Sequence, residues 1–407
     1  MDKSKKILNG NRIIMHYPDI LEKTKAQSLL KREERNLRKS EELLNLAYKG
    51  KVNLYIYEFP FNKNWTDLKG VHYAIPSEHF KALSDLNNKV LGEIHEWIHF
   101  LCIKLLCPVM ELDSPTFFLA EGLAVAIDSL LNKDYEKHLN LVVKGLRDKN
   151  RLKSITEVSP KDLVSYTHYL TGCITLYLLK KYGIEKIKSV YKYIDDPQEF
   201  FNVFKQIYGI GLKELENEWL DYLDETYHFE GKRARYIANA SLKLDDYHPF
   251  FLKYEKNWTL HGFNDLPSNI LKIEEDLYKA YFDLSTCSNS ELEYYNEQYN
   301  EAFKKFKTVL DKRDKCIQEF AKAQNLIEKS NNYDLMLEQL GKANILALEI
   351  KDSCITNRIH KHIDVIKLIK EASNTEGVQN KKKKYKLAQT IIDDSNYKGE
   401  EYHGRKI

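Results

Sequence analysis

Cysteine is scarce in this chain and never closely paired. Six residues, at positions 102, 107, 173, 287, 316 and 354, include no CxxC. That spacing resembles neither a thiolate zinc module nor a disulfide framework, so reduced thiols in the cytoplasm are the expectation. Proline and glycine are also few, 9 and 16 in 407 residues, and so little punctuation among many Lys, Glu and Leu favours helix. Long hydrophobic runs are missing. The most apolar stretches, "FLCIKLLCPVM" and "FFLAEGLAVAIDSLL", carry Lys104 in the first and Glu121 and Asp128 in the second. Both are too short or too polar to span a bilayer, so no membrane partner is expected. "MDKSKKILNGNRIIMHYP" opens basic but holds no apolar core of signal-peptide length. Charge of one sign is not in excess: the net value is +3, without the concentrated basic face of a nucleic-acid binder. The run "KKKK" at 381–384 reads as a solvated tail. There is no glycine-rich phosphate loop and no GxSxG elbow.

What is present is a helical pattern with a few strands ahead of it. "NRIIMHYP" (11–18) and the alternating "KVNLYIYEF" (51–59) read as strands. A long polar helix over 19–48 lies between them. "GVHYAIPS" (70–77) reads as a third strand, at an edge or a strand end because of Pro76. From about 78 the period becomes helical: Val90, Ile94, Trp97 and Leu101 recur at spacings of four, three and four. Ser114 and Pro115 then suit the N-cap and first residue of another helix. Further helices are expected at 117–131, 161–182, 195–207 and 212–227. The aromatic, proline-punctuated stretch 228–265 reads as a connection, and 266–407 as nearly all helix. The expected architecture is therefore α+β and mostly helical. A small sheet with helices (1–227) comes first. A connecting segment (228–265) leads to an all-α helical-hairpin domain (266–407).

One stretch carries chemistry. "HEWIH" places His95 and His99 four apart, so both imidazoles project from one helix face. Zinc accepts such nitrogens at about 2.0–2.1 Å, and a catalytic site needs a third protein ligand. Glu96, one residue on, flanks that face, where a base acting on a metal-bound water belongs. Glu121 is the best candidate for the third ligand. It sits in "FFLAEGLAVAID" with only apolar and small neighbours, and a carboxylate buried there must be paired, protonated or metal-bound. Gly122 follows it at a helical cost of about 1 kcal/mol against alanine, which suggests close approach of another helix. His360 and His362, two apart, would lie on different helix faces and make no such pair.

"HEWIH" followed by "FFLAEGLA" resembles the glutamate-zincin (gluzincin) metallopeptidases, most of all their peptidase MA-like branch. "NRIIMHYP" and "KVNLYIYE" are similar to the strands that precede the catalytic helix there. "YLTGCITLYLLKKYG" (169–183) and "YGIGLKELENEWLDYL" (208–223) are similar to its later segments. The likeness covers roughly residues 8–226. Phe118 stands where the family often has tryptophan, and Ala126 where an aromatic is common. The resemblance implies a zinc metallopeptidase with His95, His99 and Glu121 as ligands and Glu96 as general base. It also implies an oxyanion donor from a later helix. Tyr169 aligns with that donor, and Tyr166 and His168 are alternatives. The implied partner is a peptide or protein substrate. Separately, the helical-hairpin pattern of 266–407, which lacks catalytic groups, suggests a domain that recruits a substrate or partner or covers the cleft. The alternative reading is an inactive metallopeptidase-like scaffold that serves as a helical interaction module.

Overall fold

The computed structural model describes residues 6–58, 63–67, 70–75, 94–107, 116–131, 133–158, 165–260, 268–329, 332–375 and 377–393. Five strands form one sheet: β1 (Lys6–Asn9), β2 (Ile13–Tyr17), β3 (Val52–Glu58), β4 (Lys63–Asp67) and β5 (Gly70–Ile75). Their order is β1-β2-β3-β5-β4. β2, β3 and β5 are parallel, and β1 and β4 are antiparallel to their neighbours. Parallel neighbours need a crossover, and α1 (Lys23–Leu44) supplies it between β2 and β3. The alternation anticipated for β3 buries Val52, Leu54 and Ile56 beside Ile13, Met15 and Tyr17 of β2. Ala26, Leu29, Leu30, Leu37 and Leu44 of α1 join the same core. α1 stops at Asn45, whose φ of 49° lets its N–H cap the carbonyls of Glu41 and Glu42. Asparagine tolerates that left-handed conformation better than most residues.

After the sheet come α2 (His95–Leu105), α3 (Phe117–Leu130) and α4 (Lys133–Asp148). A π-helical turn (Ser165–Leu170) runs directly into α5 (Thr171–Tyr182), followed by α6 (Ile184–Tyr191), α7 (Pro197–Tyr208) and α8 (Leu212–Tyr227). Then come α9 (Gly231–Leu260), α10 (Ser268–Thr286), α11 (Leu292–Lys329), α12 (Tyr333–Glu349), α13 (Ser353–Asn374) and α14 (Val378–Asp393). Among the described residues no helix is long and apolar enough to cross a membrane.

α3 and α5 pack unusually closely. A Cβ on Gly122 would collide with the Thr171 carbonyl and the Thr175 hydroxyl, and one on Gly172 would collide with the Val125 side chain. The costly glycine beside Glu121 is thus explained: it lets a second helix backbone approach.

The structure corrects several expectations. β5 is not an edge strand, because β4 pairs outside it. It does end just before Pro76. β4 and β1 are short, five and four residues, with no alternation to betray them. Helices α4 and α6 were not anticipated. The stretch 228–265 is no irregular connection, since α9 covers most of it. Its buried residues include Ala234, Ala238, Ser241 and Asp245 beside Ile237 and Tyr247, so small and polar residues dilute its hydrophobic signal, and Pro249 falls within its span. Ser114, Pro115 and the approach to α2 over 78–93 lie outside the described residues.

The chain divides into two compact units. One joins Met1–Tyr247 with Tyr278–Asn300, and the other joins His248–Leu277 with Glu301–Ile407. In the first, Arg233 of α9 donates to the Ser285 carbonyl and to Asn289, tying the late segment to α9. In the second, Arg313 and Asp352 form a fully buried 3.0 Å ion pair. The other Asp352 oxygen caps the start of α13 by accepting from the Ile355 N–H at 3.0 Å.

Candidate metal centre

α2 begins at His95, so Glu96 falls in its first turn. One side of this helix is anchored. Trp97, Ile98 and Leu101 are fully buried, and the Trp97 indole donates a 2.8 Å hydrogen bond to Glu33 of α1. The other side carries His95 and His99, whose Nε2 atoms stand 3.1 Å apart. α3 brings Glu121 to meet them. One of its carboxylate oxygens is 3.3 Å from His95 Nε2, and the other is 3.3 Å from His99 Nε2.

These three side chains place one potential ligand atom each within 4.8 Å of one another. Donors held 2.0–2.1 Å from a tetrahedral ion stand about 3.3–3.4 Å apart, which the 3.1–3.3 Å spacings here approach. Two imidazole nitrogens and a carboxylate are also the borderline donor set that suits zinc. The residues therefore fit the ion.

The electrostatics follow from partial burial. Burial alone would push the His95 imidazole down, but the Glu121 carboxylate outweighs it and holds His95 at about 9 in the metal-free protein. Burial would likewise raise the Glu121 pKa, and His95 and then His99 reverse this, so it falls well below the carboxylate range. Glu96 is buried, and its charge acts on both His95 and His168.

Of the three donor candidates on the turn before α5, His168 reaches the site, with Nε2 3.3 Å from the Glu121 oxygen that faces His95. Burial lowers its pKa, and so do the charges of His95 and His99, against the pull of Glu121. Tyr169 turns elsewhere. Its ring lies edge-on to His138 at 5.6 Å, its hydroxyl is next to that of Tyr281, and burial raises its pKa to about 12. The Tyr166 side chain lies outside the described residues.

The sequence reading missed Glu33. The signal was present, because Glu33 occupies the position between Leu29 and Leu37 in the apolar stripe of α1. A carboxylate at such a spacing demands a buried partner. His138 and Tyr281 left no comparable trace.

Compared with protein-family models, with curated proteins and with solved structures, the chain gives no match in any of the three.

Proposed function

We propose that this protein is a zinc-dependent metallopeptidase of the glutamate-zincin type. The observation that carries the reading is the convergence of His95, His99 and Glu121 from two helices at near-tetrahedral donor spacing. These three residues would hold the ion. When bound, zinc supplies Lewis acidity that brings a water towards a pKa of about 7 and polarises the substrate carbonyl. Glu96 takes the proton of the attacking water and returns it to the leaving amine. His168, beside Glu121, is the donor best placed to stabilise the oxyanion that develops on the substrate. The outermost strand on the β5 side of the sheet is β4, which offers an edge for an extended substrate. A peptide adding there would gain main-chain hydrogen bonds. The helices of the second unit recruit the protein substrate or a partner. The free cysteines at 102, 107, 173, 287 and 316 favour a reducing, cytoplasmic setting.

The test compares wild type with Glu96→Gln. Both should hold one zinc per chain, and the variant should hydrolyse peptides about 10²–10⁴-fold more slowly. Failure of the wild type to bind zinc stoichiometrically would reject the reading. Zinc bound without cleavage of any member of a random peptide library would favour the inert-scaffold alternative.

A further inference from the structure

The His168 side chain is 42% exposed and its ring stacks with that of His95 at 6.2 Å. Its aim at Glu121 also depends on the backbone that carries it. That backbone is the π-helical turn Ser165–Leu170, a conformation seen mostly as single turns and frequently at functional sites. Successive residues on a helix point about 100° apart, so Tyr169 leaves the turn in a different direction. It enters a pocket built by three helices. His138 of α4 is 3% exposed, and its Nδ1 is buried without a hydrogen-bond partner. Tyr281 of α10, also 3% exposed, stands edge-on to His138 at 4.6 Å. The Tyr281 hydroxyl has Ser241 and Tyr169 as its polar neighbours and makes no short hydrogen bond to either. Tyr299, 5.8 Å from Tyr281, ties the pocket to α9 by donating to the Ala240 carbonyl at 2.7 Å.

We propose that Tyr169 is a positioning residue, not an oxyanion donor: its ring, packed edge-on against His138 with its hydroxyl beside that of Tyr281, fixes the π-helical turn and so aims His168 at Glu121. The catalytic part of this inference rests on the peptidase reading, and the structural part does not. Shape carries the role here. The ring packs on His138, and the Tyr281 hydroxyl beside it makes no hydrogen bond.

The experiment uses the full-length, zinc-loaded chain with Tyr169→Phe, Tyr169→Leu, His168→Ala and the double variant His168→Ala/Tyr169→Leu. Tyr169→Phe should keep kcat/KM within about 3-fold of wild type, because it preserves the ring. Tyr169→Leu should fall as far as His168→Ala, and the double variant no further than His168→Ala alone. Affinity for a phosphinic peptide, measured by calorimetry, should follow the same order. Zinc stoichiometry should not change in any of the four. Hydrogen exchange of the 165–170 amides should quicken in Tyr169→Leu and not in Tyr169→Phe, with the 95–105 amides unchanged. A loss of about 100-fold or more in Tyr169→Phe would make Tyr169 the donor itself and overturn the proposal. Additive losses in the double variant, or unchanged exchange at 165–170 in Tyr169→Leu, would overturn it too. If the wild type takes up no zinc, the peptidase reading fails, and the exchange comparison still decides the anchor. If Tyr169→Leu does not fold, Tyr281→Leu removes one wall of the pocket and is read the same way.

Discussion

The Trp97 indole N–H donates a 2.8 Å hydrogen bond to Glu33, 64 positions earlier in the chain, and both residues are fully buried. Glu33 also holds Arg32 at 2.9 Å. Trp97 sits between the two histidines of the HEWIH run, so this bond fixes the rotation of α2 from the side opposite the candidate metal centre. Glu33→Ala should lower the unfolding free energy by about 2–4 kcal/mol, because it leaves a buried donor and a largely buried guanidinium without their acceptor. Glu33→Gln should cost less, since an amide oxygen can still accept from Trp97. Denaturant titrations measure both. Equal losses would mean that the bond contributes nothing beyond packing.

Zinc loading should release a proton. The Glu121 carboxylate keeps His95 protonated up to about 9 without metal, and a ligating imidazole must be neutral. Apparent zinc affinity should therefore climb from neutral pH to about 9 and level off above it. Calorimetry in two buffers of different ionisation enthalpy counts the proton. Identical heats in both buffers would contradict this.

Gly122→Ala sets two effects against each other. Alanine gains about 1 kcal/mol of helix propensity, whereas overpacking costs about 1–3 kcal/mol. The clash involves the Thr171 carbonyl, a backbone group that cannot swing aside, so overpacking wins. The variant should melt at lower temperature and bind zinc more weakly, because α3 must move and Glu121 moves with it. A variant with a raised melting temperature and unchanged zinc affinity would refute the close-approach explanation.

His138 makes stability depend on pH. Burial lowers its pKa from 6.5 to about 4. Between those values the unfolded chain binds a proton that the folded chain refuses. Its contribution is therefore complete above about pH 6.5 and is lost as pH falls towards 4. At 1.36 kcal/mol per unit the loss is at most about 3 kcal/mol. His138→Gln should flatten that part of the curve of unfolding free energy against pH. A curve of unchanged slope would show that His138 is not the group responsible.

The legible parts of this molecule are those where one residue's chemistry conflicts with its local surroundings. His95 and His99 announce themselves by spacing, Glu121 by a carboxylate among apolar residues, and Gly122 by its helical cost. Strand β3 shows through alternation, β2 through a β-branched and aromatic run, and α8 through a helical pattern that matches its observed bounds at Leu212–Tyr227. The obscure parts have no such conflict. Tyr169 is one of 27 tyrosines, and the π-helical turn that separates its direction from that of His168 leaves no mark in residue type. The buried face of α9 mixes Ile237 and Tyr247 with alanines, Ser241 and Asp245, which weakens its hydrophobic period. The allotment of Tyr278–Asn300 to the first unit is a tertiary fact, made by contacts such as those of Arg233 and Tyr299.

That last allotment has a consequence for biosynthesis. On the ribosome, His95, Glu96, His99 and Glu121 emerge close together. The wall contributed by Tyr281 and Tyr299 arrives more than 150 codons later. A nascent polypeptide thus carries its candidate metal ligands long before the aromatic cluster around His138 is complete.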